Sequence, residues 1–539
     1  MLPWAQLDGQ LQSRKPPVGA REDVFRRHAK INRSLICSTV SNYFGGKRMA
    51  RTVARIATLV LAGFLTLSGS TFAQARRQAL APQSKAPQTP TPPAFDLAKL
   101  DAEALVWLEG LIRINTTNPP GNEIVAAKYI ADILKQEGIN SDIIETTPGR
   151  GFLVARLSAT AVPDPSRALL IMGHLDVVGV DKSKWTVDPF GAVIKDGYLY
   201  GRGAIDDKAM TIANLAVFIG LKRSSAHLNR DVIYLAEGDE EAGGTNGVKV
   251  AVEKYWDKIA AGFAINEGGY NVQKDGKVLY MAVQASEKVS VSVDVIATGV
   301  SGHGSLPRKD NPVVHLAAAI AKIGAYETPV QLNSVTRGYF EGLAAVEDDE
   351  TAKWMRSLET SDRGEHAARY LSNTNLLWNS MMRDTISPTM LQAGIRANVI
   401  PSEARGVINI RLLPGDMITV LLSKLTQLVN DPQIRFEIQP GSGEAAPSSS
   451  LTTELYSTIT AASKQQFPGA AVIPFMSPGA TDSYPLRMRS VEAYGLMPFP
   501  LQENDFLRMH ADDERIPVDS FRKGVDFLYT IVNNFAVAH

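Results

Sequence analysis

The sequence predicts an α/β fold, with a smaller α+β domain inserted into a catalytic α/β domain. Two patterns carry this prediction. Short apolar runs at 168–172 (ALLIM), 232–236 (VIYLA) and 263–265 (FAI) have the composition of buried strands, and helical spacing follows at 210–221 and 247–259. Strands alternating with helices imply a parallel or mixed sheet, whose ligands sit at the carboxyl ends of its strands. The second pattern lies mid-chain. Residues 288–296 (KVSVSVDVI) alternate with period two, as in a half-exposed antiparallel strand, and 407–413 (VINIRLL) is a second such segment. Helical patterns at 312–325 and 365–382 lie between them. Residues 288–413 therefore read as the inserted domain, with catalytic segments at 96–287 and 414–539.

Composition narrows the function. A chain of 539 residues predicts more than one domain, and 45% hydrophobic with 21% charged residues excludes a disordered chain. The zero net charge hides an asymmetry. Residues 1–75 carry 11 Lys/Arg against 3 Asp/Glu, a net +8, which leaves −8 for the remainder. An acidic main body argues against nucleic acid as a partner. The single cysteine, Cys37, excludes an internal disulfide framework, a Cys-rich zinc module and an iron–sulfur cluster. Any metal must sit on His, Asp and Glu.

Residues 49–75 read as a secretory signal peptide. Arg51 and Arg55 form a basic start, 56–67 an apolar run, and Ala73-Gln74-Ala75 a small-residue cleavage site. The run is too short to span a bilayer comfortably. No cysteine follows it to take a lipid anchor. Met49 is then the expected start, and 1–48 a mis-called upstream extension. Residues 76–95, rich in Pro, Gln, Ala and Thr, read as a disordered linker. The expected location is the periplasm or the cell exterior, with no membrane attachment after cleavage.

Five segments carry the chemistry, each following an apolar run or opening a helical pattern. In Gly173-His174-Leu175-Asp176 the imidazole can bind a metal through one nitrogen while Asp176 fixes the other. Gly201 to Lys208 (GRGAIDDK) places two carboxylates at a helix start, as a cap or as a bridge between two metal ions. Glu237 to Gly244 (EGDEEAGG) sets four carboxylates within five residues, a solvated acidic loop or a cation-loaded site. Adjacent Glu240 and Glu241 can divide metal binding from proton transfer. Asn266-Glu267-Gly268-Gly269 follows another apolar run. His510 lies in the charged stretch 508–516, where a plain surface histidine is the alternative. Together these supply two imidazoles and three or more carboxylates at separate strand ends. That set suits two zinc ions, with cobalt or manganese as substitutes.

Seven motifs occur in order: GHLDVV, W-x-x-DPFGAVIKDGYLYGRGAIDDK, EGDEEAGG, NEGG, SGHGSLP, NVIPSEA and MHADDERI. Over roughly 96–539 the chain resembles the zinc-dependent exopeptidase family of aminoacylase, glutamate carboxypeptidase, Gly-X carboxypeptidase and succinyl-diaminopimelate desuccinylase. The resemblance implies a phosphopeptidase-like three-layer catalytic domain with a ferredoxin-like lid, which also serves as a dimerisation domain. It implies that His174 and Glu267 hold one zinc, Glu241 and His510 the other, and Asp206 both, with a cis peptide after Asp206. Glu240 becomes the general base and Asp176 the residue that orients His174. His303 in the lid would polarise the scissile carbonyl, from a neighbouring subunit in dimeric relatives. Asn398 and Arg411 correspond to lid residues that bind substrate. Gly479 and Thr481 correspond to the loop that meets the substrate carboxylate, with Arg487 the nearest match to an arginine that commonly follows. The implied activity is cleavage of amide bonds in peptides or N-acyl amino acids, of carboxypeptidase or aminoacylase type. A dipeptidase or aminopeptidase is the alternative, and a non-catalytic peptide-binding protein or an amidase of non-peptide compounds stands further off.

Overall fold

The computed structural model describes residues 95–538, apart from 160, 161, 163, 442, 444 and 445. The upstream stretch, the signal peptide, nearly all of the linker and Cys37 lie outside the described residues. Among the described residues, no helix is long and apolar enough to cross a membrane.

The catalytic body is built on a nine-stranded mixed sheet. Its order is Ser141–Thr147, Arg150–Leu157, Val232–Glu237, Leu169–His174, Phe263–Asn266, Glu492–Gly495, Lys277–Glu287 and Ala471–Ser477, with Tyr270–Lys274 paired to Lys277–Glu287. The four central strands run parallel, and their registers align His174 with Glu237 and Asn266 with Gly495. The carboxyl ends of these strands therefore share one edge. Successive side chains alternate between two apolar layers. Leu169, Ile171 and Tyr234 join one layer, and Leu170, Met172, Ile233 and Leu235 the other. Both faces are buried, which is why these strands read as unbroken apolar runs. Helices Leu97–Ile112, Glu123–Gln136, Lys208–Arg223 and Val518–Ala536 cover one face. Val248–Lys254, Trp256–Ile259 and Ser483–Arg487 cover the other. Each apolar side chain fully buried in these layers stabilises by roughly 1.5–3 kcal/mol.

The inserted domain follows β-α-β-β-α-β order: Val289–Thr298, Pro312–Gly324, Thr385–Ala393, Glu403–Leu412, Ile418–Val429 and Ile434–Ile438. Its sheet is antiparallel, ordered Thr385–Ala393, Glu403–Leu412, Val289–Thr298, Ile434–Ile438. This is the ferredoxin-like arrangement. The alternation at 289–297 buries Val289, Val291, Val293, Val295 and Ala297 under the two helices, alongside Leu316, Ile323, Leu421 and Leu425.

Two of the expected boundaries change. The lid does not end at 413, because helix Ile418–Val429 and strand Ile434–Ile438 complete its sheet and core. Nor is 288–413 all lid. Helices Ser334–Leu343, Asp349–Arg356, Gly364–Thr374 and Leu376–Met382 belong to the catalytic layer. Val335, Tyr339, Phe340 and Leu343 line one face of the first, and Tyr339 packs 6.0 Å from the Phe475 ring. The single helix expected over 365–382 is two. Asn375 is extended and caps the second, its side chain accepting from Leu377 N and Trp378 N.

Candidate active site

The shared strand edge gathers the predicted residues. His174 closes its strand, fully buried. Its Nε2 lies 3.0 Å from Asp206 Oδ1 and 4.0 Å from Glu267 Oε2. Asp206 Oδ2 lies 3.0 Å from His510 Nε2, which is also 3.0 Å from Glu241 Oε1. One carboxylate thus turns an oxygen to each of two imidazoles, and each imidazole has its own glutamate behind it. The Asp206–Asp207 peptide is cis. Donor atoms of His174, Asp206 and Glu241, and of His174, Glu240 and Glu267, form two groups lying within 4.8 Å.

The open alternatives close here. Asp207 stands at the N-cap of helix Lys208–Arg223, yet its carboxylate makes no cap bond and accepts from His174 N at 3.1 Å. In the acidic loop Asp239 is spent structurally. It has φ +72° and accepts from Arg150 Nη2 at 2.6 Å, Asn118, Thr245 and Asn246. That frees Glu240 and Glu241 to face the cluster. Their backbone N–H groups donate to the fully buried Asp176 at 3.1 and 3.2 Å, and Asn118 Nδ2 adds 2.7 Å. Asp176 orients His174 less directly than anticipated. His174 Nδ1 is 3.0 Å from the Asp176 carbonyl oxygen and 3.5 Å from its carboxylate.

The electrostatics are those of a cation cradle. Burial pushes Glu240 up to about 8 and Glu267 well above the usual carboxylate range, and neighbouring carboxylates add to both. Burial opposes the charge on Asp206, but the two imidazoles hold it far below the usual range. Hydrogen bonds to Asp206 and then Glu241 push His510 up to about 10. Carboxylates packed this closely need a counter-charge. An all-imidazole and carboxylate donor set fits zinc, and also cobalt or manganese.

Several supporting residues carried no signal of their own. Glu514, fully buried, accepts from Arg202 Nη1 at 2.6 Å, Gly203 N at 3.1 Å, Ile205 N at 2.7 Å and Asp206 N at 3.1 Å. Arg202 Nη2 also donates to the His510 and Ala511 carbonyls. One ion pair therefore fixes both the Asp206 loop and the His510 loop. Their opposite charges, in GRGAIDDK and MHADDERI, were the available clue. Arg150 likewise bridges Glu123 and Asp239.

The lid residues sit apart from the cluster, while the 477–483 loop borders it. His303 and Asn398 come together on the lid, where Gly302 and His303 pair with Ile400 and Val399, and Gly304 N donates to Asn398 O at 2.8 Å. His303 Nδ1 bonds Ser305 Oγ at 2.7 Å, and among the described residues no hydrogen bond joins it to the carboxylate cluster. Arg411 is half-buried on the lid strand, its Nε donating to Asn409 Oδ1. Gly479 N donates to Ser477 Oγ at 3.1 Å. Thr481 gives both its N–H and its hydroxyl to Glu287, each at 2.8 Å. Arg487 corrects the sequence reading. The short helix Ser483–Arg487 turns it into the core, where it pairs with Glu287 at 3.0 Å and is 2% exposed. It is no reader of substrate.

Imidazole and carboxylate donors gathered beside the strand ends of a three-layer α/β body are the equipment of a metal-dependent hydrolase. Residues 170–534 match the model of Peptidase family M20/M25/M40, and the chain belongs to that family. It is a hydrolytic enzyme of the metallopeptidase and amidohydrolase kind. A carboxypeptidase S-like protein of Dictyostelium discoideum is 28% identical over 376 residues, 68% of this chain and 72% of that one. An N-fatty-acyl-amino acid synthase/hydrolase of Homo sapiens is 27% identical over 378 residues, 69% of this chain and 75% of that one. The fold matches that of an M20 family metallo-carboxypeptidase from Sulfolobus solfataricus with a TM-score of 0.60, at 21% identity, covering 80% of this chain and 99% of that one.

Proposed function

We propose that the protein is an exported di-zinc hydrolase that cleaves the amide bond of N-acyl amino acids or of C-terminal residues bearing a free carboxylate. The observation that carries the two-metal reading is Asp206, with one oxygen 3.0 Å from each of the His174 and His510 Nε2 atoms. His174 and Glu267 would hold one ion, His510 and Glu241 the other, with Asp206 between. When bound, the ions supply an acidified water and a polarised carbonyl. Glu240, partly buried among the donors, takes the proton of the attacking water and returns it to the leaving amine. His303 belongs to an opposing lid, where its imidazole would stabilise the oxyanion.

The carboxylate preference is supported by Arg411. Among the described residues no carboxylate pairs with it, and burial pulls its pKa below the ordinary value. A half-buried guanidinium with no carboxylate of its own among the described residues suits a substrate carboxylate. The dimer is supported by strand Thr385–Ala393, an exposed edge of the lid sheet carrying Met390 and Leu391, each 64% exposed. Export rests on the leader at 49–75, and the signal of the N-terminal fraction after expression tests it by mass spectrometry of the mature start.

The test of activity is a hydrolysis panel on the zinc-loaded protein. N-acetyl and longer N-acyl amino acids and N-blocked dipeptides are set against the same dipeptides with a free amine. Cleavage of the blocked compounds is expected. Cleavage of free-amine dipeptides alone would overturn the reading in favour of a dipeptidase.

A further inference from the structure

The chain passes between the catalytic body and the lid four times. Three of the crossings meet at residues 285–289. At the first, strand Lys277–Glu287 passes into strand Val289–Thr298 with only Lys288 between them. At the third, Lys288 Nζ donates to Ser380 O at 3.0 Å, Arg383 O at 2.8 Å and Thr385 Oγ1 at 3.1 Å. These acceptors close helix Leu376–Met382 and open lid strand Thr385–Ala393. At the fourth, Ser448 Oγ donates to Ser286 Oγ at 2.9 Å and Ser449 N to Ala285 O at 2.8 Å. The remaining crossing, 325–333, is fastened to the third by Thr328 Oγ1 on Asp384 O at 2.6 Å and Gln331 N on Met382 O at 2.7 Å.

Glu287 and Lys288 are both buried, and as neighbours in an extended segment they face opposite ways. Glu287 grips the loop 477–483. Its Oε2 accepts from Thr481 N and Oγ1, its Oε1 from Arg487 Nη1, and Lys288 N donates to Ser477 O at 2.9 Å. That loop touches the elements carrying the metal donors. Asn266 Nδ2, one residue before Glu267, donates to Ser483 Oγ at 3.2 Å. A Cβ on Gly244, three residues after Glu241, would come 3.0 Å from Asp482 Oδ1. A chain of contacts therefore runs from the donors through the loop and residues 287 and 288 to the lid. An ammonium buried this deeply keeps its three acceptors or is left uncompensated. The lid strand and helix Leu376–Met382 cannot drift apart around it without that cost.

We propose that Glu287 and Lys288 are positioning residues forming one pivot, through which the loop at the metal site and the lid move as a unit. The pivot rests on the contacts above. Only its effect on turnover rests on the proposed function.

Hydrogen–deuterium exchange on the zinc-loaded full chain tests it, comparing wild type with K288M, E287Q and the milder T385V and T481V. The expected result is a cross-effect. K288M and T385V speed exchange in 477–483 roughly tenfold, and E287Q and T481V do the same in lid strand Thr385–Ala393. K288R restores part of the protection lost in K288M. In kinetics, KM for N-acyl amino acids rises several-fold more than kcat falls. Exchange that quickens only in the segment each substituted residue touches would overturn the pivot. If K288M fails to fold, T385V and T481V, each removing one hydroxyl, decide the matter. A wild type that cleaves no carboxylate-bearing substrate would sink the proposed function, while the exchange result would still decide the pivot.

Discussion

Substituting Glu514 by Gln tests whether one buried ion pair holds the two halves of the site together. The side chain keeps its shape and loses its charge. Glu514 now accepts four donors at 2.6–3.1 Å, three of them backbone N–H groups of the Gly203–Asp206 turn. An amide offers one oxygen in place of two and turns an NH2 towards the other pair. Breaking a buried ion pair from one side costs about 3–5 kcal/mol, and each stranded donor about 1–3 kcal/mol. Arg202 is counted in both figures, so they do not add. A loss of about 4 kcal/mol is expected by urea unfolding of the zinc-loaded protein. Because Asp206 N and the His510 carbonyl are both tied to this pair, zinc affinity should fall about 10- to 100-fold in a chelator competition. An E514Q protein within about 1 kcal/mol of wild type, with unchanged zinc affinity, would refute the reasoning.

Three further outcomes follow from the same geometry. Glu240→Gln should lower kcat by roughly 10²- to 10⁴-fold while metal content by atomic absorption stays at the wild-type level, and a near-native rate would remove Glu240 from its role. Asp101, buried opposite Asp526, is pushed up to about 7, by burial first and then by Asp526. A carboxyl raised in the folded state contributes stability that is full below its unfolded value near 3.8 and lost as pH rises through about 7. Asp101→Asn should therefore flatten the fall in melting temperature from pH 4 to pH 8 and exceed wild type at pH 8; parallel curves would count against the pairing. Leu391→Lys on the exposed lid edge should give monomers by sedimentation equilibrium where wild type gives dimers, with melting temperature unchanged.

Much of this site was legible because chemistry and topology coincide. The His174, Glu240–Glu241 and Glu267 motifs each follow an apolar strand, and parallel strands bring such positions to one edge. His174, Glu240, Glu241 and Glu267 are together for that reason, whereas Asp206 and His510 arrive on loops tied by Arg202 and Glu514. What escaped notice depends on pairings that span the chain. Glu514 meets Arg202 across 312 positions, and Arg150 meets Asp239 across 89; neither spacing has a local signature. Arg487 was matched to a family arginine by its place after the loop alone, and a five-residue helix rotates it inward. The lid boundary slipped at 413 because Ile418–Val429 and Ile434–Ile438 look like any helix and strand. Only their pairing with Val289–Thr298, more than a hundred residues upstream, assigns them to the lid.

The reach of the Glu241–His510 contact has a consequence in time as well as space. Glu241 and His510 are 269 positions apart, and the whole lid and nine further helices are threaded between them among the described residues. No early folding fragment contains both sides of the Asp206 bridge. In a chain still being made, the Glu241–His510 contact cannot form until residue 510 has been added, long after His174 and Asp206. On the proposed function, hydrolytic capacity would arrive only with that C-terminal segment.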